Sequence, residues 1–411
     1  MRVPRAWWTT LLLLPLLGCE QQADPPPPAT SQRPELAPGT DESLRDAAVA
    51  LVEERERALR EGDRDAFLAT VDPDELGFSA TQARWFDNLE QLPVGDVSYE
   101  LGDEDVMTQV AGAGDLQLPV DFTMRLRGFD SRPVTQSMVW TFARDGDDAL
   151  LSDDRNLQID ARTGWTPAPW DLAHIETRRE GGILAVFDED TVHNADYVMD
   201  DLAAATEVVA RHLPEWSRRF VAYGTSDVTV IDKMSAMTVD DTAGVAFPVL
   251  SRHRGPVAAY RFMVNPDVVG DVIGRGQVFR HELVHVALGA TDDRAPLWLV
   301  EGTAEYVARS TLPVEIRRRV AAQRLAATPG RVLEPSRRFY ADDAALNYEL
   351  AALACDYLAS TRGEQVVWDL LRSFRTARFA TWAESEDVVR RELGLSTLEL
   401  STQALAWARS A

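Results

Sequence analysis

Apolar positions along the chain change period twice, and each change marks a change of architecture. After Thr40, Asp41 and Glu42, the residues Leu44, Ala48, Leu51, Val52 and Leu59 fall on one helical face. Thr40 suits an N-cap, and the two carboxylates suit the positive end of a helix dipole. Asp63 predicts the cap of a second, short helix through Phe67 and Leu68, and Ser79 to Leu92 predict a third. The period then drops to two in Val97–Leu101, Leu116–Leu126 and Val134–Ala143, with Asp147–Asp153 as a last strand. Helices followed by an antiparallel meander predict an α+β domain over residues 41–160.

A Gly/Pro-containing stretch, Arg162 to Pro169, places the domain boundary. Beyond it, Ile183–Phe187 and Val228–Ile231 read as strands separated by a helix from Ala195 to Leu213. Val257–Val264 predicts a further strand that Asn265-Pro266 brings to an end. From Gly274 onward nearly everything follows helical spacing. Residues 170–411 are thus expected to form a second domain, with a small mixed sheet and a mainly helical C-terminal half.

Composition agrees with two folded domains, because 411 residues at 45% hydrophobic content can bury a core in each. A formal net charge of -24 excludes a nucleic-acid surface, which draws its affinity from cations on phosphates. The N-terminus changes the picture more. Arg2 and Arg5 precede an apolar stretch, Ala6 to Leu17, that is too short to span a bilayer. It ends in Leu16-Leu17-Gly18-Cys19, which resembles the bacterial lipobox. The resemblance implies cleavage before Cys19, a diacylglycerol on its thiol, and anchoring to the outer face of the bacterial cell membrane. A secretory signal with an incidental cysteine is the alternative. Residues 20–40, with Pro25 to Pro28 in a row, read as an extended tether. With Cys19 consumed, Cys355 has no partner, and no internal disulfide is expected.

The candidate chemistry lies in His281-Glu282-Leu283-Val284-His285. On a helix this spacing sets two imidazoles on one face, a turn apart, where both reach one zinc ion. Catalytic zinc takes three protein ligands and keeps one position open, so a third ligand is required. Fifteen residues separate His285 from Glu301, which lies within Leu297-Trp298-Leu299-Val300-Glu301-Gly302-Thr303-Ala304-Glu305, a second helical stretch. A helix end, a loop and an antiparallel return fit that gap.

This pair of motifs resembles the gluzincin branch of zinc metallopeptidases, in a zincin-like domain. By position the resemblance makes His281, His285 and Glu301 the ligands of one Zn2+ and Glu282 the general base. It places Glu305 where a carboxylate orients a ligand histidine. The implied reaction is hydrolysis of a peptide or protein substrate, Glu282 taking a proton from the attacking water. An oxyanion donor is expected from the same resemblance. Tyr348 is the first candidate, although its helical stripe with Ala351, Ala352, Cys355 and Leu358 also fits core packing; Tyr340 and His253 follow. Gluzincins hold substrate backbone on an edge strand, and Tyr260, Phe262 and Val264 fit that place. Their alternation equally fits a covered strand.

Residues 41–160, above all Glu61-Gly62-Asp63-Arg64-Asp65-Ala66-Phe67, resemble the cone-shaped nuclear-transport-factor-like fold. That fold hosts enzymes and accessory domains alike, and an accessory role is expected here. The competing reading of the whole chain is a lipid-anchored binding or scaffolding protein on a peptidase-like fold. A closed structural zinc site is disfavoured, because such sites are rich in cysteine.

Overall fold

A computed structural model of the chain describes residues 40–102, 116–156, 160, 162–230, 242–378 and 381–410. The expected signal segment, Cys19 and residues 20–39 of the tether lie outside the described residues. The chain divides into two compact units, both mixed α+β. One runs through Trp165 and includes Ser251–Pro256; the other comprises Thr166–Leu250 and Val257–Ala411.

The first unit sets three helices, α1 (Thr40–Glu61), α2 (Arg64–Ala69) and α3 (Leu76–Glu90), before a four-stranded antiparallel sheet. Its strands are β1 (Val94–Leu101), β2 (Leu116–Leu126), β3 (Val134–Asp145) and β4 (Asp148–Asp153), paired in sequence order. Asp63 caps α2, its carboxylate accepting the Ala66 N–H at 3.0 Å. The alternation in β2 buries Leu118, Val120, Phe122, Met124 and Leu126. Arg55 is also buried. Its guanidinium sits 3.7 Å over the Phe67 ring and donates to Thr70 Oγ1 at 2.9 Å and to Gln82 Oε1, which offsets the cost of burying its charge.

The second unit is built on a five-stranded mixed sheet ordered β5-β6-β7-β9-β8. β5 (Ile175–Glu180) pairs antiparallel with β6 (Ile183–Asp188), and α4 (Ala195–His212) makes the crossover to the parallel strand β7 (Phe220–Tyr223). β9 (Val257–Val264) runs parallel to β7, and β8 (Gly244–Leu250) lies antiparallel on its other side.

Two expectations are corrected here. Val228 to Val230 do not form a strand: Asp227 accepts the Thr229 N–H at 2.9 Å and starts a helical turn, and Ile231 lies outside the described residues. The strand is Phe220–Tyr223, buried on both faces, as a parallel strand under helices requires. The second correction concerns Tyr260, Phe262 and Val264, which are not on an edge, since β9 is paired on both sides and Phe262 and Val264 are buried. The edge is β8. Pro248 sits there, where a missing N–H is tolerated.

The helical half follows as α5 (Arg275–Leu288), α6 (Leu297–Ala308), α7 (Val314–Arg324), α8 (Ala344–Arg362), α9 (Gln365–Thr376), α10 (Trp382–Leu393) and α11 (Thr397–Arg409). Phe279, Leu283, Trp298, Leu299, Leu350, Ala351 and Leu358 join α5, α6 and α8 in one continuous core. Among the described residues, no helix is long and apolar enough to cross a membrane.

Candidate metal centre

The positions of three side chains are decided by how α5 and α6 are held. Phe279, Leu283 and Val284 pin α5 to the core, and at its start the buried Arg275 donates to Asp201 Oδ2 at 2.8 Å and to the Val269 carbonyl at 2.6 Å. Gly289 ends α5 with φ at 51°, which favours glycine, and a Cβ there would also press to 3.0 Å from the Tyr260 ring. α6 begins after Pro296 and is buried from Glu301 to Ala308. Gly302 lets it lie against α8, where a Cβ would meet the Ala351 carbonyl oxygen at 2.8 Å.

This packing brings His281, His285 and Glu301 together. His281 Nε2 lies 3.2 Å from Glu301 Oε2 and 3.2 Å from His285 Nε2, and the remaining side, His285 Nε2 to Glu301 Oε2, is 3.8 Å. Tetrahedral zinc with bonds of about 2.0–2.1 Å separates its ligand atoms by about 3.3 Å, so the triangle has the right size.

The opposite ring edges fix the tautomers. His281 Nδ1 donates to Glu305 Oε1 at 3.0 Å, and His285 Nδ1 donates to Asp292 Oδ2 at 3.4 Å. A carboxylate only accepts, so both Nδ1 atoms carry hydrogens and both Nε2 atoms face the shared space. Glu301 Oε2 is buried there without a hydrogen-bond donor, while Oε1 accepts the Tyr340 hydroxyl at 2.6 Å.

Three acceptors turned on one point repel unless positive charge stands between them. In the bare protein, protons fill that need: burial opposes charging of His281, yet Glu301 and Glu305 raise it to about 9. His285 is lifted in the same way against burial, by Asp292 and Glu301. Burial pushes Glu301 up, but the two imidazoles hold it well below the usual carboxylate range. A divalent ion held by the same three atoms would supply that positive charge instead. Two imidazole nitrogens and one carboxylate oxygen are a donor set suited to zinc.

Glu282 lies beside this triangle, buried, and burial raises its pKa while the imidazoles and the Ala246 backbone N–H pull the other way. Gly244 on β8 makes room for it, since a Cβ there would come within 3.0 Å of Glu282 Cγ. His281, Glu282, His285, Glu301, Tyr340 and Tyr348 all open onto one cavity of about 1150 Å³.

Of the proposed oxyanion donors, Tyr348 is half-buried in the cavity wall, its ring centroid 6.1 Å from that of His281. Its hydroxyl makes no hydrogen bond among the described residues. His253 instead lies in Ser251–Pro256, in the other unit, against Gly164. Of the three β9 residues, only Tyr260 lines the cavity. Sequence reasoning missed Asp292 as partner of His285, the Gly244 and Ala246 contacts to Glu282, and the Tyr340 bond to Glu301. Asp292 alone had a local signal, an acid in the turn that follows the histidine helix.

No protein-family model matches the chain, and no curated protein matches it significantly.

Proposed function

We propose that this protein is a zinc-dependent peptidase of the gluzincin type, exported and anchored by a lipid on Cys19. In this reading residues 170–411 form a zincin-like domain, and the helices and meander of the first unit form a cone-like accessory domain. The observation that carries it is the convergence of His281 Nε2, His285 Nε2 and Glu301 Oε2 within 3.2–3.8 Å of one another, each imidazole held at Nδ1 by a carboxylate.

Zinc, when bound by His281, His285 and Glu301, supplies Lewis acidity and an activated water. The remaining work belongs to the chain. Glu282 takes the proton of the attacking water; a carboxylate raised by burial both accepts that proton and gives it to the leaving amine. Glu305 and Asp292 keep the two imidazoles in the ligating tautomer. Tyr348, whose ring centroid lies 6.1 Å from that of His281 in the cavity wall, is the candidate donor to the developing oxyanion. β8, whose Ala246 N–H faces Glu282, borders the cleft in the place first assigned to β9.

Zinc quantification beside a peptide-cleavage assay tests the proposal on wild type, His281→Ala and Glu282→Gln. Zinc retained by wild type and Glu282→Gln but lost from His281→Ala is expected. Cleavage by Glu282→Gln should fall by about 10²–10⁴-fold. Absence of zinc from the wild type would end the proposal. Zinc in wild type and Glu282→Gln with cleavage by neither would move it to a binding protein on a peptidase-like fold. Anchoring is tested separately, Cys19→Ser being expected to leave the membrane fraction.

A further inference from the structure

Glu301 has two oxygens, and the structure treats them differently. Oε2 closes the triangle with the imidazoles, whereas Oε1 is turned away and accepts the Tyr340 hydroxyl at 2.6 Å. The placement of that phenol is built into the fold. Tyr340 sits in a single helical turn, Arg338–Ala341, anchored by the fully buried Phe339. Asn347 Nδ2, itself buried, donates to the Phe339 carbonyl within the turn at 2.7 Å and to the Asp342 carbonyl just after it at 2.9 Å. Arg331 Nε in turn donates to Asn347 Oδ1 at 3.1 Å. A buried amide with this many partners fixes the backbone that carries the tyrosine, and with it the direction of the hydroxyl.

We propose that Tyr340 is a positioning residue for the metal centre, holding Glu301 to coordination through Oε2 alone. A carboxylate left free chelates an ion with either one oxygen or both. With Oε1 committed to a phenol, the second mode loses a hydrogen bond, so one coordination position stays open for water or a substrate carbonyl. The same bond stops Glu301 from swinging out of the triangle when the ion is absent. Tyr340 therefore acts through Glu301, and the donor role toward substrate falls to Tyr348, whose hydroxyl is uncommitted. This inference rests on the reading of the site as a zinc centre.

The test uses the full chain with metal alone as probe. Tyr340→Phe removes one oxygen and keeps the ring packed on Phe339, so its circular dichroism should match the wild type. Its zinc Kd, measured by competition with a chromophoric chelator, should rise about 10–100-fold. Replacing zinc by Co2+ should give weaker visible absorption bands than in the wild type, as the ion goes from four-coordinate toward five-coordinate. Tyr348→Phe should change neither quantity. A Tyr340→Phe protein with wild-type zinc affinity and an unaltered cobalt spectrum would overturn the inference while leaving the zinc centre standing. A wild type that takes up no zinc would instead remove the centre itself, and this inference with it.

Discussion

Substituting Gly302 by alanine tests whether the metal centre depends on how closely α6 approaches α8. In an ordinary helix interior the change is favourable by about 0.8–1.0 kcal/mol, because glycine carries the larger entropy cost. At this position the new Cβ would sit 2.8 Å from the Ala351 carbonyl oxygen, 3.0 Å from its carbon and 3.1 Å from Cys355 Sγ, where ordinary contact begins at 3.4 Å. Two of the three obstacles are backbone and cannot rotate away. The helices must therefore separate by roughly 0.6 Å, an overpacking strain of about 1–3 kcal/mol. The net expectation is a loss of roughly 0–2 kcal/mol, at about 2–4 °C of Tm per kcal/mol for a unit of this size. The shift also matters next door. Glu301 precedes Gly302 directly, and zinc sites tolerate about 0.2 Å in a ligand distance, so zinc affinity should drop by at least about tenfold. Thermal unfolding of the metal-free protein and a zinc competition titration read the two effects. A Gly302→Ala protein that melts higher by the full helix gain and binds zinc as tightly as the wild type would refute the reasoning.

Glu305→Gln should keep the fold yet weaken zinc binding about 10–100-fold by chelator competition, because His281 Nδ1 loses its ionised acceptor. Asp188 concerns stability instead: burial pushes its carboxyl up, but the hydroxyl and backbone N–H groups of Ser226 and Thr191 bring it below the usual range. A group depressed in the folded state stabilises above its unfolded pKa of about 3.9, and that contribution is lost as pH falls through it toward the folded value. The urea-midpoint gap between wild type and Asp188→Asn should accordingly be wide at pH 6 and narrow at pH 3; a constant gap would count against the linkage. Cys355 is fully buried, and burial pushes its thiol up. In a Cys19→Ser background it should stay unlabelled by a thiol reagent until denaturant unfolds the protein, and rapid labelling without denaturant would contradict its placement.

What could be read in advance follows from what a helix repeats. His281 and His285 share a face because four residues make about one turn, and the second helical stretch announces itself through Trp298, Leu299 and the acids at 301 and 305. The meander was visible for a similar reason, since Leu118 to Leu126 alternate and one face is solvated. Strands buried on both faces carry no such alternation. That is why the sequence points to a strand at Val228 and not at Phe220, and why the pattern of β9 leaves an edge and a covered strand equally open. β8 was missed altogether; Gly244 and Pro248 weaken its strand pattern, and both owe their presence to the edge, one to the approach of Glu282 and the other to the absent ladder.

The rest of the centre is hidden from the sequence for a different reason, because it is made of distances between elements. Glu301 faces the imidazoles only if α6 lies at one particular depth against α8, and the residue that sets this depth, Gly302, looks in the sequence like an unfavourable choice for a helix. Its local cost is the trace of a long-range demand. Tyr340 shows the same logic in reverse: nothing in Arg338-Phe339-Tyr340-Ala341 marks it for the site, yet Asn347 reaches back to hold that turn, and its phenol meets the Glu301 carboxylate. A glycine inside a well-formed helix and a buried amide bonded to two carbonyls are both departures from local preference. In this fold each departure touches Glu301, directly or through one neighbour, so strain against local rules is itself a pointer to where the chain places its chemistry.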